Sequence, residues 1–242
     1  MRIKEKLFLN FLHWRSRPSI LINYLREKKI ETTTNLKTIE PTNIKVGACQ
    51  LELKLMKNPL EYVEEMFKYT KIAAEDGVQL LVFPENNSFQ LLGLLPGVEE
   101  MAERIDTNSD DKDSFSLAEL FRVVGPIFNK IASNTFSFLA RSYGIYIMAG
   151  SFTSTANNKV LNRANLYGPD GQVVGEQDKV HLMPIEHEWG LSPGENFQVF
   201  PTPIGKIGMP VCMDATYFET FRILTSLGAE IITVPIANPE PY

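Results

Sequence analysis

Three chemically capable residues stand just beyond stretches that read as β-strands: Glu85 after residues 78–83, Lys179 after residues 172–175, and Cys212 after residues 206–211. In α/β sheets, functional groups gather outside the carboxyl ends of strands, so side chains far apart in sequence can converge there. A thiolate at Cys212 would attack a carbonyl carbon, and a helix beginning soon after it would favour the anion. The alternative role for Cys212 is that of a small buried hydrophobe. Glu85 follows an apolar run and a proline, and a desolvated carboxyl of this kind suits proton transfer near neutrality. Lys179 would supply fixed positive charge where an oxyanion develops. Both residue types also serve as ordinary solvated loop charges, the commoner role for Glu and Lys.

Other reactive groups fit chemistry less well. Cys49 lies inside a strand with no helix start beside it, which favours simple packing. The histidines are His13, His181 and His187. A pairing of Cys212 with His181 or His187 would suit a papain-like base, but the flanking residues lack that class's signature. Glu186 and Glu188 flank His187, yet neighbours in sequence rarely converge on one ion. With only two cysteines, a disulfide framework and a cysteine-rich zinc site are both excluded. No metal and no cofactor is expected.

The elements that must position these residues follow from composition and pattern. The chain has 242 residues, 44% of them hydrophobic and 22% charged, enough for one large domain with its own core. No apolar run approaches the ~20 residues that span a bilayer. A net charge of −5 argues against a nucleic-acid partner. Residues 1–43 are different: they carry nine Lys and Arg against four Asp and Glu, with interspersed Leu, Ile, Phe and Trp. They read as an amphipathic helical extension, docked on its own domain or resting on a partner or an anionic membrane surface. Residues 31–43 read as a linker.

From residue 44 to 242 the pattern is that of a second, larger unit. Residues 44–48 suggest a strand, and Asn58-Pro59 caps a helix that closes at Gly77. The run 78–83 is a strand. A polar stretch, 106–113, leads into a helical region interrupted near Pro126 and resumed to Gly144. Residues 145–149 form the next strand, and hairpins follow around residues 168–171 and 203–205. A helix over 218–227 and a strand over 230–236 complete the order. Alternating strands and helices with added hairpins indicate an α/β layered domain.

Taken together these segments resemble the nitrilase superfamily of carbon–nitrogen hydrolases. Ile44-Lys45-Val46-Gly47-Ala48-Cys49-Gln50 is similar to the family's first strand. Leu81-Val82-Phe83-Pro84-Glu85 resembles its general-base segment, Asp178-Lys179-Val180-His181-Leu182 its lysine segment, and residues 205–214 its nucleophile segment, with Glu219 seven positions after the cysteine. Pro184-Ile185-Glu186 resembles the loop bearing a second glutamate in amidase members. The resemblance implies a four-layer α-β-β-α sandwich and a metal-free Glu-Lys-Cys mechanism. Cys212 would be the nucleophile and Glu85 the proton carrier. Lys179 and the Met213 backbone N–H would hold the oxyanion, and Glu186 would orient substrate or lysine. Met213 stands where the family usually has Tyr, and Tyr217-Phe218 where Phe-Pro is usual. Family members continue for several dozen residues past a segment like 231–238, so an incomplete sandwich is expected here. The expected protein is a cytoplasmic, homo-oligomeric amidase of a small non-peptide amide. A silent scaffold or binding module and nitrile hydrolysis are the alternatives.

Overall fold

The parity of apolar residues along the strands sets the layering. In the computed structural model, which describes residues 3–28, 30, 43–52, 54–98 and 117–237, eight strands form two sheets. The first holds β1 (Val46–Ala48), β2 (Leu80–Val82), β3 (Tyr146–Ala156), β4 (Lys159–Tyr167) and β5 (Val173–Asp178) in that spatial order. The β1–β2 and β2–β3 pairs are parallel, and the β3–β4 and β4–β5 pairs are antiparallel. The second sheet holds β6 (Val199–Thr202), β7 (Gly205–Gly208) and β8 (Ile231–Ile232), with β6–β7 antiparallel and β7–β8 parallel.

Alternate residues of a strand face opposite sides. Leu81, Ile147 and Ala149 therefore pack toward α3 (Pro59–Glu75) and α4 (Leu117–Tyr143), in a core with Tyr62, Met66, Ile131 and Phe136. Leu80, Tyr146, Met148, Ala164 and Leu166 face the other way and join Ile204, Ile207, Met209 and Val211 of the second sheet's region. Behind that sheet, α6 (Phe218–Ser226) packs on β7: a Cβ added at Gly208 would lie 3.0 Å from Leu224. The layers run helix, sheet, sheet, helix, the four-layer α-β-β-α arrangement that the resemblance implied.

Local chemistry accounts for many of the boundaries. The Asn58 side chain accepts from the Leu60 and Glu61 N–H groups, and Pro59 occupies the first helical position. Asn157 and Asn158 both take positive φ, 49° and 64°, in the two-residue turn joining β3 to β4. That hairpin was not anticipated, and β3 is much longer than the expected 145–149. Helix α4 also runs unbroken through Pro126, where an interruption was expected. Proline there removes one helical hydrogen bond, but Val124, Ile127 and Phe128 around it are each 2% exposed, and burial of that face outweighs the local loss. The expected final strand shrinks to β8, and a short helix, α5 (Pro184–Glu188), occupies what read as loop.

The basic segment contributes two helices, α1 (Ile3–Arg15) and α2 (Pro18–Glu27). Leu12, Leu21 and Leu25 are buried in the same core as α3 and α4, so these helices lie on the outer helical layer. Leu7, Phe11 and Trp14 of α1 stay exposed. Residues 31–42 of the expected linker, and the polar stretch 106–113, lie outside the described residues. Among the described residues no helix is long and apolar enough to cross a membrane.

One glycine of β3 ties the fold to the site. Gly150 has φ +77°, and a Cβ there would lie 2.0 Å from the Pro84 carbonyl oxygen, next to Glu85. It sits in the irregular stretch of β3 between Met148 and Ser151. Gly150→Ala is expected to destabilise the protein by roughly 2–4 kcal/mol through backbone strain and displacement of the 84–85 turn. Urea denaturation measures this; an unchanged midpoint would contradict the close approach.

Candidate active site

Glu85 leaves the end of β2 through Phe83-Pro84 and is 2% exposed. The next residue, Asn86, takes the left-handed conformation, and its N–H donates to Ser151 Oγ at 3.0 Å, which anchors the turn to β3. Lys179 follows β5 directly and is 1% exposed. Its backbone N–H donates to the Asn162 carbonyl at 2.8 Å, and its carbonyl accepts from Gly194 at 2.8 Å. One residue earlier, Arg163 of β4 forks onto Asp178 at 2.6 and 3.0 Å, fixing the strand end that carries the lysine.

Glu186 sits on α5, 3% exposed, with one carboxylate oxygen accepting from the Met183 N–H at 2.8 Å. Cys212 stands at the sharp turn from β7 into a 3-10 turn, Cys212–Thr216, with φ +44°, a sparsely populated conformation for a side chain with a Cβ. Its N–H donates to the Pro235 carbonyl at 3.0 Å, so the segment after β8 holds the cysteine from the far side.

Three connections, after β2, β5 and β7, thus deliver one cluster. Lys179 Nζ lies 2.8 Å from Glu85 Oε1 and 2.7 Å from Glu186 Oε2. Asn162 Nδ2 donates to Glu85 Oε1 at 3.0 Å and to Glu186 Oε1 at 2.9 Å. The second oxygen of Glu85 accepts from the Ala237 N–H at 3.1 Å. The charge of Glu85 also acts on the Cys212 thiol.

Charges in this dry space shape the protonation states. Burial pushes the Cys212 thiol up, and the charge of Glu85 pushes it further, to about 12, against the smaller opposing pull of Lys179 and the Ala237 N–H. The cysteine is therefore a neutral thiol around neutral pH, beside a carboxylate that can take its proton. Burial draws the Lys179 ammonium down, but the two carboxylates more than offset this, and its pKa is raised overall. Lys179 remains a cation.

The structure brings together Glu85, Lys179, Glu186 and Cys212, all four side chains that the sequence singled out, with Met213 in the first turn after the cysteine. Cys49 is a free thiol elsewhere, packed beside the helical core, and burial pushes it to about 12. His187 and Glu188 are exposed, and Glu219 is exposed and paired with Arg222. His181 pairs with Asp214 instead of the thiol: its Nδ1 lies 2.9 Å from Asp214 Oδ1.

Two residues of this region carried no assigned role from the sequence. Asn162 shares the inward parity of β4 with Ala164 and Leu166, and a polar side chain on that apolar face was the available signal. Asp214 is fully buried and accepts from the N–H groups of Val211 at 2.9 Å, Val180 at 3.3 Å and His181 at 2.7 Å. It therefore clamps the cysteine turn to the segment after Lys179.

The sequence model of the carbon–nitrogen hydrolase family matches residues 45–241. The chain belongs to that family. It is 28% identical over 203 residues to the probable hydrolase YhcX of Bacillus subtilis, which covers 81% of the chain and 35% of the relative. It is 27% identical over 184 residues to omega-amidase NIT2 of Xenopus tropicalis, covering 72% of the chain and 57% of the relative. The chain thus spans between about a third and three-fifths of the length of these curated relatives. Among solved structures, a variant of the amidase from Nesterenkonia sp. AN1, with acrylamide added at its active-site cysteine, superposes with a TM-score of 0.60 at 21% identity, covering 82% of this chain and 69% of that one. The carbon–nitrogen hydrolase from Helicobacter pylori G27 superposes at 0.59 with 24% identity, covering 81% and 60%. These superpositions establish the shared sandwich fold.

Removing the clamp at Asp214 strands one buried and two half-buried N–H donors at once. Asp214→Ala is expected to cost about 3 kcal/mol or more, since each unpaired buried donor carries its own desolvation penalty. Chemical denaturation reads the loss, and a change under about 0.5 kcal/mol, typical of an uninvolved surface site, would contradict the clamp.

Proposed function

We propose that this carbon–nitrogen hydrolase cleaves a small non-peptide amide through a thioester on Cys212. The observation that carries the reading is the buried Glu85 carboxylate, held by Lys179 at 2.8 Å and acting on the Cys212 thiol at its strained turn. As Sγ attacks the amide carbon, Glu85 takes the thiol proton. The oxygen gains negative charge beside the Lys179 ammonium and the Met213 N–H, donors set in place before the reaction begins. When the tetrahedral adduct collapses, Glu85 hands its proton to the leaving nitrogen, and ammonia or an amine departs. Water, deprotonated by Glu85, then attacks the thioester, and Cys212 regains a proton as the acid is released. Glu186 keeps the lysine oriented through its 2.7 Å ion pair.

An amide is favoured over a nitrile because the similar omega-amidase NIT2 carries that activity in its name. The presence of every group in the cycle favours an enzyme over a silent scaffold. The reaction as drawn requires no metal, so exhaustive chelation is expected to leave turnover intact.

Ammonia release from a panel of small amides tests the assignment. Cys212→Ala is expected to lose several orders of magnitude, Glu85→Gln to lose kcat with little change in KM, and Lys179→Ala to lose on the order of 10²–10³. Cys49→Ala should keep most of its turnover. Equal losses at the two cysteines, or a change in KM alone for Glu85→Gln, would overturn the reading.

A further inference from the structure

The buried cluster holds two carboxylates and one ammonium, so it carries an excess of negative charge beside a thiol that must lose a proton. Glu85 Oε1 and Glu186 Oε1 both approach Asn162 Nδ2, at 3.0 and 2.9 Å, while Glu85 Oε1 and Glu186 Oε2 share Lys179 Nζ. Carboxylate oxygens only accept, so the amide of Asn162 must turn its nitrogen toward them, with one hydrogen for each. The residue is 2% exposed, and its Oδ1 is buried without a hydrogen-bond partner. A strand residue on the apolar face of β4 thus leaves one of its polar atoms unpaired while its two hydrogens bridge the carboxylates. Its backbone is committed to the same place, since its carbonyl accepts the N–H of Lys179.

We propose that Asn162 is a positioning residue: by donating one hydrogen to each of Glu85 and Glu186, it holds both carboxylates on Lys179 and keeps Glu85 in place for the Cys212 thiol. The proposal rests on the role of Glu85 as the base for Cys212. Lys179 reaches one oxygen of each carboxylate; on Glu186 Asn162 holds the other oxygen, and on Glu85 it shares Oε1 with the lysine while the Ala237 N–H holds Oε2. Among the described residues, the charged and titratable groups facing Glu85 are Lys179, Glu186 and Cys212, and the remaining donors are Asn162 and the Ala237 N–H. Asn162 is the one donor that reaches both carboxylates without adding charge.

Iodoacetamide alkylation of Cys212, followed by intact mass against pH in a Cys49→Ala background, reads the state of Glu85 without needing a substrate. The rate is expected to climb along an acidic limb as Glu85 ionises and then to level off. Glu85→Gln is expected to abolish that limb. Asn162→Ser shortens the side chain and leaves at most one hydroxyl donor for the two carboxylates, which disfavours the charged form, so the limb should move to higher pH by about one unit and the plateau should fall. Asn162→Asp keeps the shape but turns the donor into an acceptor, and should move the limb in the same direction; it serves if the serine variant fails to melt cooperatively. A limb that stays in place in the Asn162 variants but vanishes in Glu85→Gln overturns the proposal and leaves the mechanism standing. A Glu85→Gln profile identical to its parent overturns both.

Discussion

One buried ammonium shared by two carboxylates is the constraint around which the rest of this molecule is arranged. Lys179, Glu85 and Glu186 are each 3% exposed or less, so none of their charges is relieved by water. Removing Lys179 would leave two uncompensated carboxylates in a medium where breaking a buried pair costs several kcal/mol. The cluster therefore tolerates little displacement. Every oxygen of the two carboxylates has a protein donor: Lys179, Asn162, and the backbone N–H groups of Met183 and Ala237. Burial, together with the charge of Glu85, also pushes the Cys212 thiol up.

Meeting that constraint requires two sheets. Glu85 and Lys179 leave the ends of β2 and β5 in the first sheet, while Cys212 leaves β7 in the second. The shared apolar core between the sheets sets their separation, and Asp214 then fixes the angle at which the two sets of loops meet. The segment after β8 closes the third side: Pro235 accepts from the Cys212 N–H, and Ala237 donates to Glu85. The left-handed turns at Asn86 and Cys212 and the glycine at 150 are local departures from easy backbone geometry, each adjacent to a residue of the cluster. Strain of this kind persists where the surroundings over-determine it.

The sequence made parts of this plain because they are local. Apolar runs ending at Glu85 and Cys212 signalled strands that deliver a polar group, and Asn58-Pro59 signalled a helix start. The alternation of strand and helix gave the layered class, and the motif resemblance gave the four layers. What stayed hidden is non-local. Pro126 reads as a breaker until the burial of its neighbours against the sheet is seen. Asn162 reads as an ordinary polar strand residue until the carboxylates it bridges arrive from sequence positions 77 before and 24 after it. Asp214 stood inside the quoted nucleophile motif, but its partners belong to another loop. The docking of α1 and α2 likewise depends on Leu21 and Leu25 meeting a core assembled from residues much later in the chain.

Partitioning tests the proposed covalent intermediate on Cys212 most directly. A set of amides with one acyl group and different leaving amines is turned over in the presence of hydroxylamine, and hydroxamate and acid are quantified. A thioester on Cys212 common to all of them predicts one constant product ratio, with the acyl mass recovered on the Cys212 peptide after rapid acid quench. A ratio that changes with the leaving amine, with no acylated Cys212 peptide, would mean that water attacks the amide directly, and the mechanism built on this cluster would be wrong.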